Sequence, residues 1–213
     1  MRRLLAAALL CLPPALTYAG PTGVKSPADL HDTYLLKPPA GAALAVYEFE
    51  DLECPKCAHD TSLVHATCAK YGVPLVRKDY PWFFHAWAME AAVSARYLQD
   101  HVSVQAADQF RADVFAAQDR IASREDLRSL TSRWYAAHHV AQPFSLGSGS
   151  KEAAEVQADH ALGDKIGIHA TPTILLVTAA TCVKVPDATQ LDAMLQTATR
   201  QTHDKTHARQ LSR

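Results

Sequence analysis

Val46-Tyr47-Glu48-Phe49-Glu50-Asp51-Leu52-Glu53-Cys54-Pro55-Lys56-Cys57 is the stretch whose reading decides the fold, because it joins a short apolar run to a C-x-x-C pair. Upstream, Leu44-Ala45-Val46-Tyr47-Glu48-Phe49 has the length and composition of a strand buried on both faces. Downstream, Cys57, Thr61, Val64, Cys68 and Tyr71 recur at helical spacing until Gly72 ends the segment. The cysteine pair therefore lies where a buried strand hands over to a helix.

That position favours reactive sulfur. Unpaired backbone N–H groups and the positive end of the helix dipole surround Cys54, and Lys56 adds a cation, so the thiolate gains on the thiol. Stabilising the reduced form makes the disulfide the stronger oxidant. Pro55 fits the first helical turn, where no N–H is needed. Cys54 is expected to be the exposed, attacking cysteine and Cys57, one turn inward, the resolving one. Glu48, Glu50, Asp51 and Glu53 pull the other way and would raise the Cys54 pKa; which field prevails is left open.

The whole chain has 213 residues, 48% hydrophobic and 20% charged, a composition for one globular unit with room for an insertion. Lys+Arg 21 against Asp+Glu 22 is too balanced for binding polyanions by bulk charge, which argues against a nucleic-acid partner. Arg2 and Arg3, the apolar run Leu4 to Leu12, Pro13-Pro14 and Thr17-Tyr18-Ala19 form a signal-peptide pattern with cleavage expected after Ala19. Nine apolar residues span about 14 Å, half a bilayer core, so an anchor is disfavoured. Cleavage removes two arginines and no acid, taking the net charge from −1 to −3. An exported protein works where disulfides persist.

Farther along, Val73 to Lys78 reads as a strand and His85 to Gln99 as an alanine-rich helix. Phe110, Val114 and Phe115 mark a second helix, and Ser123-Arg124-Glu125-Asp126 a capping-box pattern opening a third. Gly147-Ser148-Gly149-Ser150 is a linker before a polar helix, Lys151 to Lys165. Thr173 to Val177 and Cys182 to Val185 form a hairpin around Ala179-Ala180, and Asp187 caps a last amphipathic helix.

The segment from Val46 to Cys57 resembles the active-site segment of DsbA-like thioredoxin-fold proteins, in which an acid lies six positions before the first cysteine. Gly167-Ile168-His169-Ala170-Thr171-Pro172-Thr173-Ile174-Leu175-Leu176-Val177 is similar to that family's Thr-cis-Pro loop and following strand. Val76-Arg77-Lys78-Asp79-Tyr80-Pro81 and the alanine-rich stretch after it resemble its second strand and inserted helices. The likeness covers about residues 42–200. It implies an α/β protein, a thioredoxin fold with an inserted all-helical domain. The divisions are a signal peptide at 1–19, thioredoxin-fold parts at 20–81 and 151–201, the insertion at 82–150 and a polar tail at 202–213. It further implies a cis Thr171–Pro172 bond facing the cysteines, and Glu48 as a buried acid that ferries the proton of Cys57. The activity implied is an exported, periplasmic dithiol oxidase, forming a Cys54 mixed disulfide resolved by Cys57. It would need no cofactor, act as a monomer on unfolded or reduced exported proteins, and be reoxidised by a membrane-bound redox partner. A reductase or isomerase of the same fold, or a non-catalytic chaperone-like binder, are the alternatives.

Other residues stay open between two readings. Cys68 lies about 16 Å along the helix from Cys57 and cannot reach it; Cys68 and Cys182 either crosslink or form two separate buried thiols. Cys54, Cys57, His59 and Cys68, with His65, carry enough donors for zinc but are spread too far along one helix for a tetrahedron. Trp82-Phe83-Phe84 fills core between the layers or walls an apolar groove. His169 is the histidine placed near the predicted centre.

Overall fold

The computed structural model describes residues 30–143 and 147–211, with side chains as far as 202; the signal-peptide reading lies outside them. Four strands form one sheet in the order β2-β1-β3-β4. They are β1 (Leu44–Glu50), β2 (Leu75–Asp79), β3 (Thr173–Thr178) and β4 (Cys182–Val185). β1 pairs in parallel with β2 and antiparallel with β3, while β3 and β4 form the hairpin. Every residue of β1 is buried, as an interior strand covered on both faces requires.

Helix α1 (Pro55–Tyr71) follows β1 and ends at Gly72, whose φ of 61° is the left-handed cap that glycine adopts without a side-chain penalty. Between β2 and α5 (Lys151–Ile166) stand α2 (Ala88–His101), α3 (Val104–Ala116) and α4 (Arg124–Ala137). The chain ends in α6 (Leu191–Leu211). The mixed α/β thioredoxin fold with a helical insertion is thus present. Asp187 caps a 3-10 turn, Ala188–Gln190, rather than α6 itself. The backbone is helical through Leu211, so the segment from 202, expected as a solvated tail, prolongs α6. Ser123 does cap α4, accepting from the Asp126 N–H, and Asp126 answers to Ala122 N, one residue earlier than a capping box would place it.

Alternation along the strands sorts the core into layers. Leu44, Val46, Ile174, Leu176 and Val185 face Val64 and Cys68 of α1 and Leu191 and Leu195 of α6. Ala45, Tyr47, Phe49, Leu175 and Val177 face Tyr80, Ile166 and Ile168. α5 approaches so closely that a Cβ on Gly163 would lie 2.5 Å from the Tyr80 ring. A third core joins Phe110 and Val114 of α3 with Leu127, Trp134 and Tyr135 of α4, and it includes Leu52, Cys54 and Cys57.

Buried ion pairs bind the insertion to the sheet. Arg111 of α3, 2% exposed, places Nη1 2.8 Å from Glu50 and Nη2 2.7 Å from Asp79. Arg96 of α2 pairs with Asp79 at 2.6 Å and with Asp159 of α5 at 2.5 Å. Asp159 also holds Lys78 at 2.7 Å. Each charge taken from water here is met by an opposite one, without which burial would cost several kcal/mol per ion.

Candidate active site

Cys54 is the N-cap of α1 and Pro55 its first residue, so the strand-to-helix turn delivers the first sulfur to the helix tip. Cys57 is fully buried and Cys54 8% exposed. The expectation of an exposed Cys54 is corrected: only a sliver of it meets solvent, because Leu52, Trp87 and the insertion's core pack around the pair. It is still the more accessible sulfur of the two. The Thr171–Pro172 bond is cis, and the Thr171 carbonyl accepts from the Cys54 thiol at 3.3 Å.

The two thiols are driven apart. Cys54 is lowered from an ordinary 9.0 to about 5, first by a hydrogen bond from Cys57, against the cost of burial, and then by the Thr171 hydroxyl and the N–H groups of Cys57 and Lys56. Cys57 is pushed far upward, chiefly by burial and then by the Cys54 hydrogen bond and charge. The helix terminus therefore helps Cys54 through its backbone N–H groups, as the sequence suggested. Lys56 helps only in that way. Its ammonium turns to Asp60 at 2.5 Å and Asp187 at 3.4 Å, so the expected side-chain cation is already neutralised.

The acidic run, which looked like an opposing field, is occupied elsewhere. Glu50 is held by Arg111. Glu53 accepts from the N–H groups of Ala86, Trp87 and Ala88, capping α2 from across the chain. Asp51 accepts from Glu53 N at 2.7 Å, from Trp82 N at 2.7 Å and meets His85 Nδ1 at 2.7 Å. Its own N–H points at Cys57 Sγ at 3.5 Å, and its carbonyl accepts from Cys54 N. None of these roles is visible from composition. One signal existed: Arg111 falls among Ala107, Phe110 and Val114 on the buried face of α3, where an arginine needs a buried acid.

Glu48 is fully buried on β1, an interior strand of the sheet. Neither carboxyl oxygen has a hydrogen-bond partner among the described residues. Burial, followed by the charge of Glu50, raises it from 4.5 to about 8. Trp82 is half-buried and donates its indole N–H to Thr171 Oγ1 at 3.1 Å, whereas Phe83 and Phe84 are 92% and 62% exposed. The aromatic cluster is thus divided: Trp82 packs, and its two neighbours face solvent beside it. His169 is exposed on the approach to the cis-proline loop, and no hydrogen bond joins it to either cysteine. Cys68 and Cys182 are separate thiols on opposite faces of the sheet, so they do not crosslink.

A family model described as Thioredoxin matches residues 40–203. Among curated proteins there is no match. Among solved structures, alpha-DsbA1 of Wolbachia pipientis is 18% identical with a TM-score of 0.65, over 83% of this chain and 100% of that one. Oxidised BdbD from Bacillus subtilis is 20% identical with a TM-score of 0.61, over 78% and 91%. ScsC of Proteus mirabilis, in a transitional conformation, is 17% identical with a TM-score of 0.59, over 78% and 71%. At these identities the likeness is one of fold.

Proposed function

Because the chain belongs to the thioredoxin family, with the fold of its DsbA-like members, we propose that it is a thiol:disulfide oxidoreductase that gives its Cys54–Cys57 disulfide to substrate thiols. The observation that carries this is the asymmetry of the pair: Cys54 holds its negative charge down to about pH 5 while Cys57 keeps its proton. A substrate thiolate attacks Cys54 Sγ, the Cys54–Cys57 bond breaks, and Cys57 leaves with the electron pair and is protonated. A second substrate thiolate then attacks the substrate sulfur of the mixed disulfide, closing the substrate disulfide and releasing Cys54 as the stabilised thiolate. In the opposite direction Cys57 resolves the mixed disulfide. A good leaving thiolate favours the oxidising direction. Glu48, a carboxyl of about 8 buried on the α1 side of the sheet, suits a group that exchanges the Cys57 proton at neutral pH.

Export to the periplasm after cleavage near Ala19, action as a monomer on unfolded or reduced proteins, and reoxidation by a membrane-bound redox partner belong to the same reading. Among the described residues no helix is long and apolar enough to cross a membrane. The exposed Phe83 and Phe84 favour a second reading, a binder of unfolded chains in which the cysteines are incidental. Oxidation of a dithiol peptide separates the two. Cys54→Ser and Cys57→Ser each lack the disulfide that is donated and should abolish turnover, while Cys57→Ser offered a disulfide-bonded peptide should trap the mixed disulfide on Cys54; full function in both variants would remove the redox mechanism. Equilibration with glutathione distinguishes oxidase from reductase: a potential well above that of glutathione is expected.

A further inference from the structure

Hydrogen bonds close a ring around the dithiol that links three separate loops. Cys54 Sγ donates to the Thr171 carbonyl at 3.3 Å. Thr171 Oγ1 accepts from the Trp82 indole at 3.1 Å. Trp82 N donates to Asp51 Oδ2 at 2.7 Å, and the Asp51 carbonyl accepts from Cys54 N at 3.0 Å. Trp82 is held in its orientation from both sides, edge-on to Tyr80 at 5.2 Å and stacked on Phe84 at 5.5 Å between ring centres.

The ring has a direction. A threonine hydroxyl carries one hydrogen and two lone pairs, and an indole N–H can only donate. With the indole on Oγ1, the hydroxyl hydrogen must turn elsewhere. We propose that Trp82 is a positioning residue for the redox centre: its indole N–H fixes Thr171 so that the Thr171 hydroxyl donates to the Cys54 sulfur once that sulfur is ionised, with Asp51 anchoring Trp82 to the cysteine loop. The Thr171 hydroxyl is among the groups that lower the Cys54 pKa. When Cys54 loses its proton it can no longer donate to the Thr171 carbonyl, and the hydroxyl of that residue joins the Cys57 thiol and the N–H groups of Cys57 and Lys56 as a donor to the sulfur. Because two hydrogen bonds in series polarise each other, the bond to sulfur is stronger with the indole in place than without it.

The inference rests on the oxidoreductase reading, yet its test needs no substrate. Thiolate absorbance against pH on the reduced protein reads Cys54 directly. Trp82→Phe keeps an aromatic ring and deletes the donor; the Cys54 pKa should rise by about half to one pH unit, the scale of one neutral hydrogen bond. The disulfide should become less oxidising by the corresponding factor of roughly three to ten. Thr171→Val should raise the pKa by at least as much, and adding Trp82→Phe to Thr171→Val should change nothing further. An unmoved pKa in Trp82→Phe, or additive shifts in the double variant, would overturn the proposal. In the unmutated protein, the Trp82 indole proton resonance should titrate with the Cys54 midpoint, and a resonance indifferent to that titration would overturn it as well. Failure of the redox reading appears elsewhere, as undiminished peptide oxidation by Cys54→Ser.

Discussion

Cys54 and Cys68 occupy opposite ends of α1, and their thiols are driven in opposite directions, Cys54 down to about 5 and Cys68 up to about 12. At the first end, N–H groups without helical partners, the Cys57 thiol and the Thr171 hydroxyl all offer hydrogen to a thiolate. At the second, the helix presents carbonyls, which are taken by Gly72 and Val73. There burial and the charge of Glu48 leave the neutral thiol as the favoured form. Cys182, half-buried, is raised to about 11 by burial. Residue type and burial are similar at the two ends. The supply of hydrogen-bond donors differs, and that difference separates a reactive sulfur from a packing one.

The contrast can be tested most severely through stability. In the reduced protein Cys54 is ionised from about pH 5 upward, whereas in the unfolded chain it titrates near 9.0. The stabilisation is complete above the unfolded value and is lost as pH falls toward 5. Relative to Cys54→Ser, reduced protein should therefore gain up to about 1.4 kcal/mol per pH unit in that window, about 5 kcal/mol in all. Urea unfolding at several pH values checks this, and parallel curves for the two proteins would break the contrast.

Glu48 works in the other direction. The folded protein keeps its proton to about 8 while the unfolded chain releases it at 4.5, so its burden is absent at low pH and grows as pH rises between those values. Glu48→Gln should leave stability unchanged near pH 4 and raise it at pH 7 by about 3 kcal/mol. The same substitution should lower the Cys68 pKa; a Cys68 that ignores it would mean burial alone acts there. The smallest effect is kinetic. At pH 7 the thiolate fraction favours alkylation of Cys54 over Cys68 by about five powers of ten, and the weaker nucleophilicity of an acidic thiolate takes back about three. Iodoacetamide should thus label Cys54 roughly a hundredfold faster, with a rate that is flat above pH 6.

Much of this arrangement could be read from local sequence. The buried run Leu44 to Phe49, the pair after it, Gly72 and the hairpin about Ala179-Ala180 are short-range patterns, and each appears in place. What escaped were relations between distant elements. Glu50 and Arg111 are 61 positions apart, and nothing local pairs them. The acids at 51 and 53 looked like a field around Cys54 because their partners, the start of α2 and the loop before it, become neighbours only after folding. Lys56 was misread for a different reason: Asp60, its 2.5 Å partner, lies one helical turn away and was legible, and only the weaker contact with Asp187 comes from 131 positions away. The position of Cys182 follows from the hairpin's pairing with Val177, which places it on the face away from Cys68. Strand alternation carries that information once the turn length is known.

The arginine forks at 111 and 96 carry a last consequence, for how the molecule comes apart. They tie α2 and α3 to the ends of β1 and β2 and to α5 by charges that water scarcely reaches, so ordinary salt screens them little. Separating the helices from the sheet would also expose the apolar core that Leu52, Cys54 and Cys57 share with α3 and α4. The insertion and the sheet should therefore melt together, and heat should meet one cooperative unit with a single transition.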